Sequence, residues 1–227
     1  MAYLGEPATT VPQPRTSGNG TEHSGPWLFA RAAGGGTDGP AGAVLFGRDG
    51  TLLQDVSYNG DPAMVRPMTG VRAALAALRG AGFALGVVSN QPGVARGLIG
   101  HRHVEAVQDR AEALLGAFDV WAVCPHGPYD GCRCRMPAPT LVTAACEALG
   151  LPPSRVTVIA CSDSVVAAAL TAGAHAIRVP DAIQPATAPY PPCTLATCRS
   201  AAGPAQAADL LMRRLPVPAT AARTLMS

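Results

Sequence analysis

Lysine is absent from the whole 227-residue chain, and all 17 positive residues are arginine. No ammonium side chain can therefore contact a phosphate or a reacting carboxylate anywhere in this protein. Aromatic residues make up only 4% of the sequence, whereas Gly (25) and Pro (22) are abundant. That bias follows from a GC-rich coding sequence as readily as from function, so no activity is read from it. The formal net charge is +2 and no basic run is longer than Arg213-Arg214, which leaves no electrostatic footprint for nucleic acid. No run of about 18 apolar residues occurs, and the opening MAYLGEPATTVPQP has no basic segment followed by an apolar one. The expectation is a soluble, cytoplasmic protein with no membrane partner.

What is present divides into three parts. Residues 1–40 are rich in Gly, Pro, Ser and Thr without hydrophobic period, and read as a disordered leader in which Trp27-Leu28-Phe29 docks locally. Residues 41–216 alternate short apolar runs with Ala/Leu helical segments, the signature of βαβ units and a parallel sheet sandwiched by helices. Residues 217–227 read as a flexible tail. The expected strands are 43–46, 83–88, 120–123, 156–160 and 176–179. The expected helices are 71–80, 102–116, 140–149, 162–172 and one from Pro204 to about 215; residues 181–203 read as irregular.

Four polar motifs fall at or just after strand ends: 47–51, 89–91, 135–137 and 161–164. In open parallel sheets ligands bind at those carboxyl ends, near the switch in strand order, so the shared position argues for one common site. Ser89-Asn90-Gln91, with the glycines that follow, offers a hydroxyl, two amides and loop N–H groups where a phosphate needs donors.

Cys124-Pro-His126, five further residues, and Cys132-Arg-Cys134 place three thiols and an imidazole within eleven positions. That donor set suits a closed tetrahedral zinc site, and the 124–134 loop is almost without apolar residues, so a metal would substitute for a core. Reduced thiols or a disulfide are the alternatives. Cys193 and Cys198 could pair, but two surface thiols are the expectation.

The strings Phe46-Gly47-Arg48-Asp49-Gly50-Thr51 and Ser89-Asn90-Gln91-Pro92-Gly93-Val94-Ala95-Arg96-Gly97 together resemble the haloacid dehalogenase (HAD) superfamily, subfamily IIIA. More closely, they resemble the branch of D-glycero-D-manno-heptose 1,7-bisphosphate phosphatases and histidinol-phosphate phosphatases, whose loops read D-x-D-G-T and T-N-Q-x-G-x-A-R-G. The resemblance covers about residues 41–180 and implies a HAD-like, Rossmann-like fold. It also implies a structural zinc on Cys124, His126, Cys132 and Cys134, and a phosphorylated sugar as ligand. Arg48, Ser89, Asn90, Gln91, Arg96 and Arg135 would then serve substrate or phosphate, with Tyr58 a weaker candidate because such a tyrosine is more often core.

Against that pattern the chain departs at three motifs. The family's nucleophilic aspartate falls on Gly47, while Asp49 retains the acid/base position. The family lysine of C-R-K-P falls on Met136 in Cys134-Arg135-Met136-Pro137, where Arg135 could supply charge with another geometry. In the G-D-S-x-x-D motif the acidic positions fall on Cys161 and Val165; Asp163 lies two residues on and could be recruited only by a local shift. Magnesium, which the family uses, is expected to be held poorly by the Asp49 backbone, Cys161 and Asp163. Asp49 as replacement nucleophile would need several ångströms of backbone movement, given a rise of about 3.3 Å per residue. Two functional expectations stand together: a non-catalytic binding or regulatory protein, or an active phosphomonoester hydrolase working on a heptose bisphosphate or related sugar phosphate through a rearranged site.

Overall fold

The structure is a computed structural model that describes residues 25–31, 40–180 and 197–213. The inner strands form where the chain carries uninterrupted apolar runs, as expected of parallel strands covered on both faces. They are β2 (Gly42–Gly47), β3 (Phe83–Asn90), β4 (Val120–Cys124) and β5 (Val156–Ala160), with β6 (His175–Arg178) beside β5. Short strands β1 (Trp27–Ala30) and β7 (Cys198–Ser200) complete a seven-stranded sheet in the order β1-β4-β3-β2-β5-β6-β7. All pairings are parallel except β1 with β4.

Helices α1 (Val71–Gly80), α2 (His101–Leu115) and α5 (Pro204–Met212) cover one face; α3 (Thr140–Ala148) and α4 (Asp163–Thr171) cover the other. Alternation along β2 shows the two layers directly. Val44 and Phe46 pack toward α1, α2 and α5, and Ala43 and Leu45 toward α3 and α4. In α1 the buried residues Val71, Ala74, Leu75 and Leu78 recur at helical spacing, and the helix stops before Gly82, whose φ is +78°. At the centre of the sheet Gly86 is required by close packing, since a Cβ there would meet Leu45 and Val120 at 2.6 Å.

The expected elements match these spans to within one or two residues, except that α5 ends at Met212, three residues before the expected end. Two strands escaped the sequence reading. Trp27–Ala30, inside the segment expected to be a leader, is an edge strand; Trp27 and Phe29 pack on the His101 ring with centroids 4.5 and 5.5 Å apart. Its neighbour Arg31 reaches Glu112, whose other oxygen accepts from Trp121 Nε1 at 3.0 Å and from the Phe118 N–H at 3.2 Å. Cys198–Ser200, in the stretch expected to be irregular, adds to β6. Cys198 is buried and disulfide-bonded rather than a surface thiol. Cys193 lies outside the described residues, as do the rest of the expected leader and the tail 217–227. Among the described residues no helix is long and apolar enough to cross a membrane.

Candidate functional site

Strand β2 lies where the chain order reverses, with β3 on one side and β5 on the other. At its carboxyl end a cavity of about 360 Å³ opens, lined by the ends of β2, β3 and β5, the start of α4 and the Arg135-Met136 turn. All four strand-end motifs contribute to it: Gly47, Arg48, Asp49 and Thr51; Ser89 and Asn90; Arg135 and Met136; Cys161, Ser162 and Ser164. The shared position expected from the sequence is therefore a shared cavity.

Its polar side chains are held by one another. Both carboxylate oxygens of Asp49 accept hydrogen bonds, Oδ1 from Arg48 Nε at 2.8 Å and Oδ2 from Gln91 Nε2 at 3.0 Å. The same Gln91 nitrogen donates to Ser89 Oγ at 2.7 Å. Arg48 is only 3% exposed, and its Nη1 is buried without a hydrogen-bond partner. Thr51 Oγ1 accepts from the Cys161 N–H at 2.9 Å, and Cys161 Sγ donates to the Asp49 carbonyl at 3.5 Å, which ties the end of β5 to the turn after β2.

Asn90 lines the cavity, but both polar atoms of its amide engage the Met136 backbone: Nδ2 donates to the carbonyl at 3.0 Å and Oδ1 accepts from the N–H at 3.1 Å. The side chain expected to contact phosphate instead positions the turn that carries Arg135 and Met136. Met136, where the sequence reading expected the lysine position, is 2% exposed and belongs to the same buried core as Cys134 and Val165. Its bond to Pro137 is cis. Arg135 lines the cavity and donates from Nη1 to the His126 carbonyl at 3.2 Å.

Three expected residues lie elsewhere. Asp163 is at the first position of α4 and forms an ion pair with Arg178 of β6, away from the cavity lining. Arg96 is exposed and sits over the Tyr58 ring at 5.2 Å, donating to its hydroxyl, and neither lines the cavity. Tyr58, the weaker candidate, is 39% exposed with φ of +51°, so it is in neither the cavity nor the core. Asp55 was not singled out from sequence, yet it lines the cavity; it lay in a stretch with no motif.

Beside this cavity the ligand atoms of Cys124, His126, Cys132 and Cys134 all lie within 4.8 Å of one another. The Sγ–Sγ separations from Cys124 are 3.8 Å to Cys132 and 3.3 Å to Cys134, and His126 Nδ1 is 3.6 Å from Cys124 Sγ and 3.2 Å from Cys134 Sγ. A zinc tetrahedron with Zn–S of about 2.3 Å and Zn–N of about 2.0 Å has edges of about 3.5–3.8 Å, so these residues fit the ion through His126 Nδ1. Burial pushes the Cys124 thiol well up from the ordinary thiol range and also raises that of Cys134. A dication at their centre would reverse that preference by stabilising thiolates.

No family model matches the chain. It is 32% identical over 145 residues to D-glycero-β-D-manno-heptose-1,7-bisphosphate 7-phosphatase of Pseudomonas putida, covering 60% of this chain and 81% of that enzyme. It is 31% identical over 147 residues to the enzyme of the same name from Rhodopseudomonas palustris, covering 60% and 82%. In three dimensions it resembles the D,D-heptose 1,7-bisphosphate phosphatase of Bordetella bronchiseptica, crystallised with magnesium and phosphate. The TM-score is 0.67 at 27% identity, over 76% of this chain and 99% of that one. The parallel sheet with helices on both faces is the HAD-like, Rossmann-type fold of those proteins.

Proposed function

The chain belongs to the D-glycero-β-D-manno-heptose-1,7-bisphosphate 7-phosphatase family, and from that premise we propose that it is a non-catalytic member that binds a phosphorylated sugar. What carries this reading is Gly47. It stands at the end of β2, on the wall of the cavity, where an attacking carboxylate is needed and no side chain exists. Two more departures support it: a thioether at Met136 in place of a cation, and a thiol at Cys161 in place of a carboxylate. Asp49 does not replace the missing nucleophile in this reading, because it lies two residues further along the turn and its carboxylate is held in place by Arg48 and Gln91.

Binding is supported by what the cavity keeps. Arg48, Asp49 and Ser89 line it and are linked through the buried Gln91, Arg135 lines it separately, and its size suits a small phosphate ester. The four-ligand cluster at 124–134 holds a structural zinc in this reading, and through Arg135 and Met136 it fixes one edge of the cavity.

The test is phosphate release from heptose 1,7-bisphosphate, histidinol phosphate and a chromogenic ester with added magnesium, paired with calorimetric titration of the same sugar phosphate. Binding without turnover is expected. Turnover of about 1–1000 per second that survives repurification and vanishes in Asp49→Asn would make the protein an enzyme with a rearranged site.

A further inference from the structure

From the donor set of the cavity we infer that a phosphate dianion is bound directly on arginine, without magnesium. This rests on the phosphosugar-binding reading and specifies how that site holds its ligand.

Magnesium demands near-octahedral oxygen coordination and sheds its water reluctantly. The cavity lining contains two carboxylates, Asp49 and Asp55. Each Asp49 oxygen already accepts a hydrogen bond, from Arg48 at 2.8 Å and from Gln91 at 3.0 Å, so a metal there would compete with the Arg48 cation for the carboxylate. The Arg48 guanidinium against that carboxylate also repels a second cation at the same place. Across the cavity Gly47, Met136, Ala160, Cys161 and Val165 bring no anionic oxygen. These residues do not fit the ion seen in the Bordetella bronchiseptica enzyme.

They fit an anion. Arg48 lines the cavity at 3% exposure with Nη1 buried and unpartnered, and an unpaired buried charged donor is costly until an acceptor arrives. Arg135 lines the same cavity and has one N–H committed to His126, so its fork has donors to spare. The first turn of the nine-residue α4 opens on the rim, and Ser162, its N-cap, makes no side-chain capping bond. Its hydroxyl lies 2.9 Å from that of Ser164. Two arginines against two aspartates leave the cavity formally neutral, so a dianion can enter without a metal to offset a carboxylate wall.

The experiment is calorimetric titration of the full-length, zinc-loaded protein with inorganic phosphate and with a hexose monophosphate, in buffer stripped of magnesium by chelating resin and again with magnesium restored. Equal affinity in the two buffers is expected. Arg48→Met and Arg135→Gln should each weaken binding about tenfold or more, as loss of a charge-assisted contact does. Arg135→Gln keeps the test valid if Arg48→Met does not fold. Gly47→Asp, which adds a carboxylate to the wall, should weaken metal-free binding. Binding that appears only with magnesium in the unaltered protein, or that ignores both arginine substitutions, overturns the inference and leaves the phosphosugar reading standing. No binding in either buffer overturns both.

Discussion

Substituting Asp, Lys and Asp at Gly47, Met136 and Cys161 tests the proposal that the cavity lacks its catalytic groups, and the structure sets the size of each step. A Cβ on Gly47 would sit 3.3 Å from Thr51 Oγ1 and 3.4 Å from the Ala160 Cβ, and Gly47 is not among the positive-φ residues. Gly47→Asp therefore folds, at a crowding cost of about 1–2 kcal/mol. Met136→Lys is different in kind. Residue 136 is 2% exposed and its backbone is clamped by Asn90, so the new ammonium cannot leave the cavity wall by moving the turn. Alone it is a buried charge without a partner and should cost about 3–5 kcal/mol. With Asp at 47 on the same cavity, about 1–3 kcal/mol of that should return as coupling between the two substitutions. Cys161→Asp then completes the carboxylate set beside Thr51 and Asp49. Chemical denaturation of the two single variants and the double gives the coupling, and phosphate release with magnesium gives the chemistry. Because groups that act as a unit are strongly non-additive, activity should appear only in the triple variant. Two results would refute the reasoning: additive stabilities within about 0.5 kcal/mol, or Gly47→Asp alone forming a phospho-enzyme at ordinary enzyme rates. The second would mean that Asp163 and Arg135 already supply metal binding and charge.

Three further outcomes are expected. Purified protein should carry close to one zinc per chain by elemental analysis, and Cys132→Ser should lower both zinc content and melting temperature; unchanged values would remove the metal from the 124–134 loop. Glu112→Ala strands the Trp121 and Phe118 N–H groups and releases Arg31, so unfolding measurements should show a loss of about 1–3 kcal/mol per unsatisfied buried group. Burial pushes the Cys146 thiol from 9.0 up to about 11, so its stability contribution is complete below pH 9 and is lost as pH rises toward 11. With no lysine in the chain only thiols and tyrosines titrate in that window. Zinc-loaded protein should lose stability there by about 1.4 kcal/mol per pH unit, and Cys146→Val should flatten the slope.

Local pattern alone fixed most of the architecture. The apolar runs at 43–46, 120–123 and 156–160 and the helical period of 71–80 are long or regular enough to declare their element without help from the rest of the chain. The strand-end placement of Gly47, Ser89 and Cys161 and the four-ligand spacing at 124–134 were likewise legible, because they depend on residue type and order. What depended on distant partners was not. Trp27–Ala30 and Cys198–Ser200 are strands of four and three residues, too short for a period to show, and they exist because β4 and β6 offer open edges. Asn90 looked like a phosphate donor until folding brought Met136, 46 residues away, within reach of both ends of its amide. Asp163 and Arg96 carry the right chemistry in the right motifs, but Arg178 and Tyr58 hold them elsewhere. Sequence specifies which groups the chain owns; which of them share a cavity is settled only when long-range packing selects each side chain's partner.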